Sequence, residues 1–242
     1  MSGLKIAVLY GIYPHKLGFC GPREEAAKKI LSDFLSGKKI ALRKIKKILR
    51  DFKAAYSYYK LIASANGIRD PFSERVVKAY WIGNKLLEKV SLKALKEMVI
   101  KDFSKPGLLP KELAVKKAEG IPRGAKPHHS FHVLVIGSVT GRVILNEKLK
   151  NLCRISWGKV IKIKESRIII EYKPLIIKNK KLRLAKPIER EVVWDKNLIG
   201  NIKRGDWITV HWNQAIQALE RKDISLLERY TRETINLLSL NG

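Results

Sequence analysis

The chain has 242 residues, of which 45% are hydrophobic, so it can fill the core of one or two domains. Its 50 Lys and Arg outnumber 22 Asp and Glu, and the formal net charge of +28 makes nucleic acid a possible partner. A lysine-rich surface is also typical of thermophilic, including archaeal, proteins. There is no stretch of about 18 apolar residues and no signal-peptide pattern at the start, so we expect a cytoplasmic protein without a membrane span.

The first part of the chain is predicted to be mostly helical. In GPREEAAKKILSDFLSG, Pro22 suits a first helical turn and Gly37 follows the last turn. Residues 38–67 keep apolar side chains at helical spacing and are expected to form one long helix. Further helices are predicted over residues 70–84 and 91–103 and from Pro110 onward.

The second part of the chain has the pattern of strands. Residues 120–127, GIPRGAKP, predict a loop or linker, and HHSFHVLVIGSVTGRVIL after it suits either a helix or a strand. From Cys153, which we expect at the start of a strand, the apolar period changes from 3.6 to 2. Four or five short strands at this spacing suggest a small barrel or sandwich, followed by a terminal helix with Asp223 as its cap. We therefore predict an α+β chain, with an all-helical domain over residues 1–148 and a β domain over 149–242.

Three of the five histidines lie together in PHHSFH. On a helix, His132 shares a face with both His128 and His129, whereas on a strand only His128 and His132 align. Either geometry lets two imidazoles approach one divalent ion such as iron, zinc, copper or nickel. The alternative is a helix start with exposed histidines and a buried Phe131.

The only two cysteines, Cys20 and Cys153, are far apart in sequence and are expected to be free thiols or metal ligands. Cys20 lies just before a predicted helix, whose dipole would lower the pKa of its thiol; the alternative is that it packs in a loop. The sequence contains no CxxC pair, phosphate-binding loop, GxSxG or HExxH motif. An accessory binding protein is therefore favoured over an enzyme with its own acid–base groups.

Two segments of the β domain carry a resemblance. CRISWGKVIKIKESRIIIEY and IKRGDWITVHWNQAIQAL, followed by a helix, resemble the hydrogenase assembly chaperone family (HypC/HupF), with Trp157 in place of a proline and with Cys153 internal rather than amino-terminal. The matching residues are Cys153, Gly158, Lys159, Val160, Gly205, Asp206, Trp207, Val210, His211, Ala215 and Ile216.

The resemblance implies an OB-like β-barrel with a C-terminal helix and a role in building the Fe(CN)2CO unit of [NiFe] hydrogenases. Cys153 would then hold iron and His211 would be its neighbour, with Arg154 favouring the thiolate. The partners would be a hydrogenase maturation scaffold or a hydrogenase large-subunit precursor.

The whole chain, including GFCGPREEA, DPFSERVVKAYWIGN and HHSFHV, is also similar to an uncharacterised two-domain prokaryotic family. If both parts act as one unit, Cys20, the histidine cluster and Cys153 with His211 are expected to converge at their interface.

Three functional hypotheses follow. The first is a hydrogenase-maturation-like accessory protein, or metallochaperone, that binds an iron or metal-cofactor precursor and passes it on. The alternative is a basic OB-type nucleic-acid-binding protein that stacks bases on Trp157, Trp194, Trp207 and Trp212. The third is an enzyme that uses the histidine cluster with a metal.

Overall fold

The computed structural model describes residues 1–179 and 181–240 and has the predicted α+β character, with helices first and strands after them. The N-terminal helices are α1 (Gly3–Lys16), α2 (Glu25–Leu35), α3 (Leu42–Arg50), α4 (Lys53–Ala65), α5 (Glu74–Trp81), α6 (Leu92–Phe103) and α7 (Lys111–Glu119), with a 3-10 helix at Lys85–Lys89 between α5 and α6. Among the described residues, no helix has both the length and the apolar character needed to cross a membrane.

The expected single helix over residues 38–67 is two helices, α3 and α4. The chain breaks at Asp51 and Phe52, and the side chain of Phe52 is buried with 6% exposure. Its ring packs edge-on against His15 of α1, with 5.3 Å between the ring centroids. Burial of this aromatic ring against α1 explains why the helix is interrupted where the apolar spacing alone continues.

The segment between the two parts of the chain is helical but irregular. It contains α8 (His129–Phe131), a π-helix (His132–Ile136) and α9 (Glu147–Cys153). The expectation that Cys153 opens a strand is therefore wrong, since Cys153 is the last residue of α9. Asn146 begins that helix, and its side chain accepts a hydrogen bond from the Leu149 N–H at 2.9 Å.

The strands are β1 (Ser156–Ile163), β2 (Arg167–Tyr172), β3 (Leu175–Lys178), β4 (Lys181–Leu184), β5 (Ile188–Val193), β6 (Trp207–His211) and β7 (Gln214–Leu219). Five of them form a mixed sheet. In it, β1 pairs antiparallel with β2 and β6, β2 pairs with β5, and β7 lies antiparallel to β6 and parallel to β5. The other two, β3 and β4, form a separate hairpin. A short helix α10 (Lys196–Ile199) follows β5, and α11 (Arg221–Leu240) ends the described chain.

Asp223 lies inside the first turn of α11 rather than capping it, and its carboxylate pairs with Lys78 of α5 at 2.7 Å. The two parts of the chain are further joined by one large hydrophobic core. That core contains side chains of the N-terminal helices together with Ile155, Trp157, Ile216, Ile224, Leu227 and Tyr230. Packing is therefore continuous across residue 148, where the sequence predicts a boundary.

Candidate metal centre

Three ligating side chains meet where the helices contact the sheet. His129 is provided by α8, Cys153 by the end of α9 and His211 by the end of β6. Each offers one ligand atom, an imidazole nitrogen or Sγ, and these atoms all lie within 4.8 Å of one another. One thiol and two imidazoles form a donor set suited to zinc, iron or copper.

The turn after His211 places it beside Cys153. Trp212 and Asn213 both have positive φ, 50° and 61°, as a two-residue hairpin turn between β6 and β7 requires. The Trp212 N–H donates to the Leu152 carbonyl at 2.8 Å. The turn is thereby attached to the last turn of α9, which ends in Cys153.

The His211 ring has one bonded and one unbonded nitrogen. Nδ1 lies 2.7 Å from the Tyr10 carbonyl oxygen, and because a carbonyl only accepts, Nδ1 carries the proton. Nε2 keeps its lone pair and is buried without a hydrogen-bond partner in the described structure. Burial lowers the pKa of His211 to about 4, although the backbone carbonyls of Tyr10 and Cys153 raise it. With the proton on Nδ1, Nε2 cannot donate to the Cys153 carbonyl. A neutral imidazole with its second nitrogen bonded to a carbonyl is the usual arrangement of a metal-binding histidine.

His129 uses both of its nitrogens in hydrogen bonds. Nε2 lies 2.9 Å from the Cys153 carbonyl oxygen and must donate to it, so Nδ1 accepts from the Tyr80 hydroxyl at 3.0 Å. Burial, together with the charge of His211, lowers the pKa of His129 well below its usual value. The ring is neutral, and an ion that binds Nδ1 must displace the Tyr80 hydroxyl.

The half-buried Cys153 thiol is neutral in the absence of metal. Burial raises its pKa well above the ordinary value, and a charge on Cys20 raises it further. The expectation that Arg154 favours the thiolate is wrong, because its guanidinium is bound elsewhere. It donates to the Lys173 carbonyl at 2.6 Å and lies 5.8 Å from the centre of the Trp157 ring. Metal binding would therefore have to displace the thiol proton.

A cavity of about 90 Å³ adjoins these three residues. Its wall is mostly apolar and includes the exposed Lys53, so one end of the cavity lies near the protein surface. Five of the six residues predicted as metal ligands line it: Cys20, His129, His132, Cys153 and His211. The structure therefore brings together residues that are up to 191 positions apart in sequence, counting from Cys20 to His211.

Cys20 lines the cavity from the loop after α1. The predicted lowering of its thiol pKa is wrong, because burial raises the pKa to about 12 and outweighs the effect of Arg142, which lowers it. The helix invoked for that lowering, α2, begins only at Glu25. Cys20 is therefore also a neutral thiol in the absence of metal.

The other two histidines of PHHSFH, His128 and His132, lie in different surroundings. His132 lines the cavity, and its Nδ1 lies 3.3 Å from the Tyr58 hydroxyl. His128 lies outside the cavity, where its ring stacks on Tyr230 at 5.7 Å and its Nδ1 accepts from the Ser130 N–H at 3.2 Å. Its exposure is 0%, so the alternative of exposed histidines at this helix start is wrong for His128.

Three aromatic residues that position the cluster were not identified from the sequence: Tyr10, Tyr80 and Trp81. Tyr10 provides the carbonyl for His211, Tyr80 provides the hydroxyl for His129, and Trp81 packs on His129 with 4.5 Å between ring centroids. Tyr80 and Trp81 are adjacent near the end of α5, in a pattern that equally fits ordinary core residues. No local sequence signal separates these two roles.

Fold and cluster together define an α+β protein with a buried cysteine–histidine centre between its helices and its sheet. The chain belongs to a family of unknown function, DUF6390, whose family model matches residues 1–241. No curated protein and no solved structure matches it.

Proposed function

We propose that this chain is a metal-binding accessory protein that holds a transition-metal ion at His129, Cys153 and His211 and passes it to a partner protein. The observation that carries the proposal is the buried Nε2 of His211, which has no hydrogen-bond partner in the described structure and belongs to a group of three donors within 4.8 Å. A buried polar atom without a partner costs free energy, and a metal ion would satisfy this one.

The hydrogenase chaperone resemblance supports iron as the cargo. Cys153 and His211 are the two residues that the resemblance assigns to the iron site, and they lie in one group of potential ligands. The same resemblance suggests an iron precursor such as the Fe(CN)2CO unit, with a maturation scaffold or a hydrogenase large-subunit precursor as partner. Cys153 would supply the soft thiolate that such iron prefers, and His211 a neutral imidazole.

The interpretation of the sheet as an OB-like barrel belongs to the same proposal. Its support is the pairing of the five strands, in which β1 has neighbours on both sides and β7 connects β6 to β5. Such a circuit leaves few free edges. His211 would then lie at the rim of the barrel, facing the helices.

The proposal is tested by loading the metal-free full chain with ferrous iron under anaerobic conditions. We expect one iron per chain by elemental analysis, and loss of that iron in Cys153→Ser. Infrared spectra of protein purified anaerobically address the cargo, since bound cyanide or carbonyl gives characteristic bands.

The matched control is His128→Gln, which changes a buried histidine outside the cavity and should leave iron binding intact. Circular dichroism of each variant verifies the fold. If the wild-type chain binds neither ferrous iron nor another divalent transition metal stoichiometrically, the proposal is wrong.

Nucleic-acid binding is supported by the net charge of +28 alone. Three of the four tryptophans expected to stack on bases are buried, with exposures of 5% for Trp157 and Trp194 and 7% for Trp212. The fourth, Trp207, is covered by Arg221, whose guanidinium lies 4.7 Å from the ring centre. Steeply salt-dependent binding to single-stranded RNA, unaffected by Cys153→Ser, would favour this function instead.

A further inference from the structure

Cys20 faces the same cavity as the three clustered ligands, from a separate segment of the chain. It lies in the loop of residues 17–22 after α1, whereas the other three residues come from α8, α9 and β6. Three protein ligands leave one position open on an ion that prefers four. The buried Nε2 of His211, which also faces this cavity, is independent evidence that a ligand belongs here.

The backbone of the Cys20 loop is fixed in place by three hydrogen bonds. The Thr140 hydroxyl donates to the Phe19 carbonyl at 3.2 Å, Arg142 donates to the Gly21 carbonyl at 2.8 Å, and Nδ1 of His15 donates to the Cys20 carbonyl at 3.1 Å. These bonds set the position of Cα and leave rotation about χ1 to the Cys20 side chain.

The fit of the loop against its neighbours is close. Gly21 has φ of +79°, and a Cβ added there would lie 2.8 Å from both His15 Nδ1 and the Phe52 ring. Cys20 is therefore presented to the cavity by a loop with little room to shift.

The two thiols belong to one cavity. Cys20 and Cys153 both line it, together with His129 and His211. Within residues 1–179 and 181–240, neither sulfur takes part in a hydrogen bond. Both thiols are therefore free to bind metal without breaking an existing bond of their own.

His132 is the other candidate for the fourth position, and it is less suited. Its Nδ1 is engaged by the Tyr58 hydroxyl, and its ring packs edge-on against Tyr58 and Phe103, with 5.5 Å and 6.0 Å between centroids. Binding metal through His132 would disturb these aromatic contacts, whereas the Cys20 side chain has no hydrogen bond or ring contact of its own among the described residues.

We infer that Cys20 is the fourth ligand of the site, so that two thiolates and two imidazoles enclose one tetrahedral divalent ion of the zinc class. The inference rests on the proposed function and applies to a bare divalent ion, because four protein ligands leave no position on the metal for cyanide or carbonyl. On binding, each thiol loses its proton to solvent and each sulfur forms one bond to the metal, with no change of oxidation state.

Cobalt(II) is the probe for this donor set, because thiolate ligands give Co²⁺ a near-ultraviolet charge-transfer band that grows with their number. The reduced, metal-free full chain is titrated with CoCl2 without oxygen. Wild type is expected to bind one Co²⁺ with a two-thiolate band. Cys20→Ser is expected to bind one Co²⁺ at least about 10-fold more weakly, with the band reduced to about half. His132→Gln should match wild type.

The outcomes separate the inference from the function on which it rests. A wild-type band in Cys20→Ser overturns the fourth-ligand role and leaves the proposed function standing. Failure of the wild-type chain to bind Co²⁺ or Zn²⁺ overturns the inference, whereas the proposed function falls only if ferrous iron is not bound either.

A second measurement avoids the variant altogether. Both cysteines of the wild-type chain are alkylated with iodoacetamide, with and without ZnCl2, and the labelled peptides are quantified by mass spectrometry. Protection of both cysteines by zinc supports the inference, and protection of Cys153 alone contradicts it.

Discussion

The interior of the five-stranded sheet and the cavity beside it are only a few residues apart along the chain, yet they contain different chemistry. The sheet interior is built from apolar side chains: Val160, Ile168, Ile170, Tyr172, Val192, Trp194, Ile202, Ile208, Val210 and Ala215. The cavity contains two thiols and three imidazoles. Val210 and His211 are consecutive in sequence, and Val210 belongs to the sheet interior whereas His211 lines the cavity.

This difference shows which region maintains the fold and which is available for chemistry. Apolar packing in the sheet interior needs no ligand to be stable. Each region contains a buried nitrogen without a described hydrogen-bond partner, Nε1 of Trp194 in the sheet interior and Nε2 of His211 in the cavity. Only Nε2 has a lone pair and lies in a group of three ligand atoms within 4.8 Å of one another. Substitutions in the two regions should therefore separate stability from metal binding.

The largest expected effect is on the sheet interior. Ile170 is fully buried, so Ile170→Ala should lower the free energy of unfolding by about 2–5 kcal/mol, because it leaves a cavity in close-packed surroundings. Urea denaturation of the metal-free protein measures this. The folded fraction should bind Co²⁺ with wild-type affinity, and a large loss of affinity would show that the two regions are not separable.

A substitution in the cavity should lower metal affinity and leave the stability of the metal-free protein nearly unchanged. His211→Gln removes one ligand while retaining a side chain that can donate to the Tyr10 carbonyl, so we expect metal affinity to fall more than about 100-fold, or roughly 2.7 kcal/mol. The increase in Tm that Zn²⁺ gives wild type should disappear. Competition with a chromophoric chelator measures the affinity. Equal loss of metal-free stability in His211→Gln and Ile170→Ala would contradict the comparison.

A smaller effect on stability is expected at Gly158, where β1 and β2 approach closely. A Cβ at this position would lie 2.7 Å from the Glu171 carbonyl oxygen and 2.8 Å from Ile170 Cδ1. Gly158→Ala should therefore destabilise the sheet by about 1–3 kcal/mol, measured by urea denaturation.

Gly120→Ala is the matched control for this substitution, because the nearest atom to an added Cβ there is 3.5 Å away. It should change stability far less than Gly158→Ala does. A similar loss in both variants would mean that the close approach at Gly158 is not the cause.

The sequence predicted the elements whose patterns are local. The alternation in RISWGKV and DWITVHW gives β1 and β6. The helix predicted over residues 91–103 is α6, and Ser91 caps it by accepting a hydrogen bond from the Ala94 N–H at 3.1 Å. It did not assign α1, which is buried on most of its surface and therefore lacks a polar face. The strand β7 was also left unassigned, since QAIQAL is short and alternates only weakly.

The ligating residues could be named from the sequence because cysteine and histidine are few. Which of them line the cavity and which do not could not be predicted. His128 and His129 are adjacent in sequence, and only tertiary packing places His129 at the cavity and His128 against Tyr230. The role of Tyr80 could not be predicted either, because its hydroxyl bonds to a histidine that lies 49 positions away in sequence, His129. Such contacts depend on how the helices pack.

The smallest expected effect concerns that hydroxyl. Tyr80 donates to Nδ1 of His129, the nitrogen that an ion needs, so Tyr80→Phe should release it and tighten metal binding. Removing one competing hydrogen bond is worth about 1 kcal/mol, which corresponds to roughly fivefold in affinity. Titration with Co²⁺ against a competing chelator resolves a change of this size.

Tyr58→Phe is the control, because its hydroxyl contacts His132, which is outside the group of three ligands. It should leave metal affinity unchanged while removing a similar buried hydroxyl. Weaker rather than tighter binding in Tyr80→Phe would mean that the hydroxyl orients the His129 ring for the ion instead of competing with it. His129 would then have to bind through Nε2 and give up its bond to the Cys153 carbonyl, so the sign of this one change identifies which nitrogen faces the metal.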